Sequence, residues 1–188
     1  NLDYKIACIV DNDYDFLNDP VEHTGNSDLL LLTLKRKEIE NYLLDPSVIE
    51  KAIEAVAKNR ESHTGIAISY PTRQEIQNKM SQLLNAPEIR NTVYDRIVPK
   101  YRTTLDNELD DVTKEERGRQ WFADNWNDLD WQIRYCPGKM VLAKMRKWCQ
   151  ENYSLTLTSQ KLIFALQEYP EDVLGIMEKL QEYFYDSA

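Results

Sequence analysis

The sequence predicts an α/β protein, a small parallel sheet supported by a large helical insert and C-terminal helices. Three observations predict it. Two apolar runs, within residues 4–10 and 28–34, each break abruptly into charged residues, which is the pattern of buried strands. From Pro46 onward, apolar residues recur at helical spacing. Residues 131–136 then alternate apolar and polar, as a half-buried strand does, and return the chain to the sheet. The 188 residues thus divide into strands with acidic motifs at 1–45, a helical insert at 46–128, and a returning strand with closing helices at 129–188.

Six of the seven residues from Tyr4 to Val10 are apolar or aromatic, and Asp11-Asn12-Asp13-Tyr14-Asp15 follows at once. Residues two apart on a strand share a face, so Asp11 and Asp13 are expected to project together from the carboxyl edge of the sheet, where α/β folds place ligands. Two carboxylates so spaced suit a hard cation such as Mg²⁺; the plain alternative is a solvated turn after a strand. Residues 16–27, rich in Asn, Asp, Pro and Gly, read as a loop. The second strand follows, and then Lys37-Glu38-Ile39-Glu40-Asn41-Tyr42-Leu43-Leu44, a second acidic cluster past a strand end. Acids there also suit the first turn of a helix.

Asp45 and Pro46 are a cap and first turn for a helix over 46–60, with Ile49, Ile53 and Val56 on its apolar face. Thr72-Arg73-Gln74-Glu75 has the capping-box spacing, and Ile76, Met80, Leu83 and Leu84 continue that helix. Ile89, Val93, Ile97 and Val98 mark another helix, stopping near Pro99, and the charged stretch 107–119 reads as helix with exposed faces. Trp121, Phe122, Trp126 and Trp131 lack interleaved basic residues, which favours packing over base stacking. Pro137-Gly138-Lys139 opens a helix with Leu142, Met145 and Cys149 on one face, and places Lys139 where a helix N-terminus can meet a phosphate. Thr158 or Ser159 caps the next helix. In the last, Val173, Leu174, Met177, Leu180 and Phe184 form the expected buried stripe.

Composition narrows the function. With 23 basic and 32 acidic residues the net charge is −9, which argues against tight autonomous binding to nucleic acid. No run is long and apolar enough to span a membrane, and no secretion signal opens the chain. Cys8, Cys136 and Cys149 form no C-x-x-C pair, which favours reduced thiols and a cytoplasmic setting. His23 and His63 lie far apart in polar loops, and neither zinc spacing nor a nucleophile triad is present. The chain opens on Asn1 with the strand beginning almost immediately, so it reads as part of a longer polypeptide.

Taken in order, the strand into Asp11-x-Asp13-Tyr14, the strand into Lys37-Glu38-Ile39-Glu40-Asn41-Tyr42-Leu43-Leu44, and the late Pro137-Gly138-Lys139 resemble the TOPRIM nuclease region of OLD-family ATP-dependent endonucleases and related AAA-ATPase proteins of phage defence. The resemblance spans residue 4 to about residue 148. It implies a TOPRIM-like sheet, incomplete at its N-terminus, and an endonuclease that hydrolyses the DNA backbone with Mg²⁺ or Mn²⁺, typically two ions. It implies that Asp11, Asp13 and Glu38 or Glu40 hold metal, that Asp11 and Lys139 are catalytic, and that the partners are DNA and an N-terminal ATPase segment, with a homo-oligomer possible. TOPRIM domains also carry a glutamate after their first strand, which this chain begins too late to contain, so the piece alone is expected to be inactive. Two alternatives stand beside it. A haloacid-dehalogenase-like phosphatase also places D-x-D after a strand, but Asp15 occupies the position where it carries Thr. A degenerate TOPRIM-like module for docking or oligomerisation fits the acidic balance and the large helical share.

Overall fold

The computed structural model describes residues 5–12, 14, 23–26 as backbone, 29–166 and 168–185. The chain is mostly helical, with a small sheet near its N-terminus. Strand β1 (Ile6–Val10) pairs in parallel with β3 (Leu29–Thr33), in the register Ile6 to Leu29 through Val10 to Thr33. Between them in sequence, β2 (His23–Asn26) runs antiparallel to β3 on its other side, giving the order β1-β3-β2. That strand lies inside the stretch expected to be loop. His-Thr-Gly-Asn carries no apolar alternation, and the ladder is made by backbone groups that any such sequence supplies.

Both apolar runs are strands, but only β3 is buried as expected. Leu30, Leu32 and Leu34 pack with Tyr42 and Ile176 in a small core. Ile6 and Ile9 of β1 are 54% and 49% exposed, and Cys8 and Val10 are exposed as well. The reason is position: among the described residues β1 lies at the edge of the sheet, so its apolar composition alone does not enclose it.

A 3₁₀ turn (Ile39–Leu43) follows the sheet and leads into the helical body. Helix α1 (Pro46–Thr64) starts where Asp45 accepts the Ser47 N–H at 2.7 Å, and runs past the expected stop to Gly65, whose φ of 67° is the left-handed cap that glycine adopts most readily. Helix α2 (Arg73–Leu84) carries the reciprocal Thr72–Glu75 capping box. Helix α3 (Pro87–Arg102) continues through Pro99, where only the last turn remains to be disturbed. Helix α4 (Asp111–Asn125) is capped by Asp110 and carries the charged stretch on exposed positions.

Residues 131–136 are not a strand. Residues 131–135 lie in α5 (Leu129–Tyr135), with Cys136 as its C-cap, and the helix is started by Asp128 accepting the Asp130 N–H at 2.8 Å. The alternation arises because this short helix sits between two cores. Ile133 and Cys136 belong to the large core formed with α1, α2 and α6, while Trp131 and Tyr135 join the aromatic core around Phe122. In that second core Phe122 meets Tyr94 edge-on at 5.1 Å and stacks on Trp126 at 5.0 Å, so the aromatics are packing residues.

Helix α6 (Gly138–Tyr153) buries Leu142, Met145 and Cys149, and Thr158 caps α7 (Ser159–Ala165). The last helix, α8 (Glu171–Tyr185), covers one face of the sheet, but not with the expected stripe. Ile176 is buried with Val173, Leu180 and Tyr183 against it, whereas Leu174, Met177 and Phe184 are exposed. Apolar residues spread over more of the helix surface than this narrow sheet can cover. The Tyr42 hydroxyl donates to Asp172, and Lys5 Nζ donates to the Tyr183 carbonyl at 2.9 Å, tying both ends of α8 down. No helix among the described residues is long and apolar enough to cross a membrane.

Candidate functional site

The parallel pairing of β1 and β3 puts their carboxyl ends side by side, with the Leu34 N–H bonded to the Val10 carbonyl at 3.0 Å. Asp11 leaves one strand there, and Lys37-Glu38 follows the other. Against them stands the N-terminus of α6. Its Lys139 N–H donates to Glu38 Oε2 at 2.8 Å, across 101 residues of sequence. The Lys139 ammonium lies 3.9 Å from Asp11 Oδ2, with both side chains largely open to solvent. Asp11, Glu38 and Lys139, expected from three separate stretches, therefore meet at one edge.

Glu38 is the better anchored of the two acids. Its Oε1 accepts from Lys37 Nζ at 2.6 Å, while Oε2 caps α6, where the helix dipole favours a carboxylate. Burial pushes the Glu38 carboxyl up. The hydrogen bonds from Lys37 and the Lys139 N–H, with the charges of both lysines, outweigh that and hold it below the ordinary carboxylate value.

Asn41 makes the joint. Fully buried, it accepts the Glu38 N–H on Oδ1 at 2.9 Å and donates Nδ2 to the carbonyls of Ile133 at 2.5 Å and Cys136 at 2.9 Å. With the Lys37 N–H on the Arg134 carbonyl at 3.0 Å, these bonds satisfy the carbonyls that the end of α5 leaves open. Gly138 is required beside it, because a Cβ there would come within 2.4 Å of Asn41 Oδ1 and 3.0 Å of its backbone nitrogen. The Glu-Ile-Glu-Asn run thus serves both helix ends that flank the 136–138 turn.

Glu40 is half-buried in the 3₁₀ turn, and its Oε2 is enclosed without a hydrogen-bond partner among the described residues. Asp13 lies outside the described residues. Tyr14 takes a φ of 67°, uncommon for a residue with a side chain, and its buried ring lies 5.4 Å from Lys37 Nζ. The site residues that sequence reasoning missed are Lys37, Asn41 and Gly138. Lys37 closes a Lys-Arg-Lys run, yet it is 8% exposed.

Carboxylates are the donor type that a hard cation takes. Asp11 and Glu38 offer carboxylate oxygens, Glu40 keeps an unsatisfied one, and Mg²⁺ is commonly held by one or two carboxylates with waters completing the shell. Among the described residues no group of three or more His, Cys, Asp or Glu gathers as a ligand set. Cys136 offers no nucleophile at this edge: burial pushes its thiol up to about 12. Comparison with protein-family models, with curated proteins and with solved structures found no match.

Proposed function

We propose that this chain is the C-terminal TOPRIM part of a metal-dependent DNA endonuclease, coupled in the full-length polypeptide to an N-terminal ATPase segment and acting in the cytoplasm against phage or other foreign DNA. The observation that carries this reading is the meeting of Asp11, Glu38 and Lys139 at the carboxyl edge of a parallel strand pair, the place where α/β folds gather their ligands. The TOPRIM-like character of the sheet is part of the same proposal.

In this reading Asp11 and Glu38, with Asp13 and Glu40 as further donors, hold Mg²⁺ or Mn²⁺. A bound metal would lower the pKa of a water and stabilise the attacking and leaving oxygens of the phosphodiester. Glu38 is preorganised, since two donors fix its carboxylate before any ligand arrives. Asp11 is the more exposed donor, its carboxylate 3.9 Å from the Lys139 ammonium. Lys139, at the N-terminus of α6, offsets charge on the scissile phosphate, and the helix dipole adds to it.

The test is nicking and linearisation of plasmid DNA by the full-length protein with Mg²⁺ or Mn²⁺. Cutting by the wild type and its loss in Asp11→Asn and Lys139→Ala support the reading. A full-length protein that never cuts, and whose biological activity survives Asp11→Asn, would replace it with the second reading. That reading is a degenerate TOPRIM-like docking module, favoured by Glu38 and Asn41 serving as helix caps and by the exposed apolar residues of β1.

A further inference from the structure

Away from the sheet edge, a cleft of about 350 Å³ opens between α2, the turn at 126–128 and α5. Gln77 and Ser81 stand four residues apart on α2, with Asn85 at its C-cap, and Leu129 and Gln132 stand three apart on α5, so each helix turns one row of side chains to the cleft. None of the described residues that line it is charged, although 29% of the chain is, so the cleft gives no counter-charge to a phosphate, a carboxylate or a cation.

Two of its amides are fixed in advance. Trp126 Nε1 donates to Asn85 Oδ1 at 2.9 Å, and Gln132 Nε2 donates to the Trp126 carbonyl at 2.5 Å. Gln132 is 5% exposed, yet its Oε1 accepts no hydrogen bond from the described residues. An amide so enclosed is seldom left half-bonded. Asn127 Nδ2 donates to the Ala123 carbonyl and Asn78 Oδ1 accepts from Gln74 Nε2, which leaves an acceptor on the first and a donor on the second. The Gln77 amide makes no hydrogen bond among the described residues. The cleft thus offers unused donors and acceptors together, all on neutral groups.

We propose that this cleft binds a small uncharged ligand with a hydrogen-bond donor beside an acceptor on one planar edge, the chemistry shared by a nucleobase and a primary carboxamide. Asn and Gln pair with such an edge through both halves of the amide. The volume lies at the small end of ligand pockets, which suits a single ring system. Trp126 is 4% exposed, so its ring is closed to stacking and recognition falls to the edge contacts. The site shares no residue with the edge at Asp11, Glu38 and Lys139 and stands apart from the activity proposed there.

The experiment follows the side-chain amide and indole N–H resonances of this chain by NMR during titration with adenosine, nicotinamide, nicotinate and glucose. Saturable shifts of the Gln77, Asn127 and Gln132 amides and of the Trp126 indole are expected with adenosine, nicotinamide or both, and which of the two binds distinguishes a base from a carboxamide. Nicotinate, the charged counterpart of nicotinamide, and glucose, which has no planar edge, are expected to bind more weakly than either. Gln77→Ala and Asn127→Ala lie at the surface and should each weaken binding about fivefold, the worth of one neutral hydrogen bond. Gln132→Leu should abolish it, and the two surface variants carry the test should that protein not fold. No saturable shift with adenosine or nicotinamide, equal binding of glucose or nicotinate, or binding that neither surface variant weakens would each overturn the proposal.

Discussion

The helical body and the N-terminal sheet treat their apolar residues in opposite ways. In the body, Ile49 and Ile53 of α1, Ile76 and Met80 of α2, and Met145 of α6 have no exposed surface. In β1, an equally apolar segment, Ile6 and Ile9 are about half exposed. Each helix has one face that others can cover, and α1, α2, α5, α6 and α7 cover each other. A strand needs cover on two faces and pairing on two edges, and among the described residues β1 pairs with β3 along one edge. The body is held by close packing, whereas the site edge is held by a few polar contacts.

Substitutions can break this comparison at its strongest point first. Truncating Ile53→Ala or Met80→Ala should destabilise the chain by about 2–5 kcal/mol in urea unfolding, whereas Ile9→Thr on β1 should change stability by about 0.5 kcal/mol or less. Equal effects would mean that β1 is enclosed in solution.

A smaller effect is expected at the joint between the two regions. Gly138→Ala should cost about 1–3 kcal/mol, because Asn41 is fully buried and cannot withdraw from the new Cβ. It should also expose the Lys139 amide to faster hydrogen exchange, by separating α6 from Glu38. A Gly138→Ala protein with native stability and an equally protected Lys139 amide would show that the two regions are not locked there.

The smallest effect sharpens the electrostatic side. The Glu38 carboxyl is held below its ordinary value, so its folded-state pKa lies under the unfolded one near 4.3. Its contribution to stability is then fully present above the unfolded value and is lost as pH falls through the folded one. Glu38→Gln should therefore flatten the acid limb of the stability profile below about pH 4 while leaving the shape near neutrality unchanged. An unaltered acid limb would mean that Glu38 is not held by the two lysines.

Much of the helical body was legible because its signals are local. Thr72 with Glu75, Asp45 before Pro46, and Thr158 each cap the helix that they were expected to cap. The errors came where a neighbour decided the outcome. Residues 131–136 alternate because α5 lies between two cores, and the buried side of α8 was set by the width of the sheet, not by the helix. At the site, Asp11, Glu38 and Lys139 were legible as residue types after strand ends and at a helix start. Lys37 and Asn41 were not, because nothing local distinguishes a buried lysine or amide from a solvated one.

By itself the sequence determined most of the helices, α5 excepted, where most of them start, and which charged residues stand at the ends of β1, β3 and the turn before α6. Those follow from hydrogen bonds and periodicities reaching only a few residues. Only the tertiary structure decided that a carboxylate and an amide 101 residues apart would meet, that Asn41 would fill the gap before Gly138, and that Ile6 and Ile9 of β1 would stay exposed. Such contacts depend on how whole elements pack, and packing is a property of neighbours that no single segment encodes.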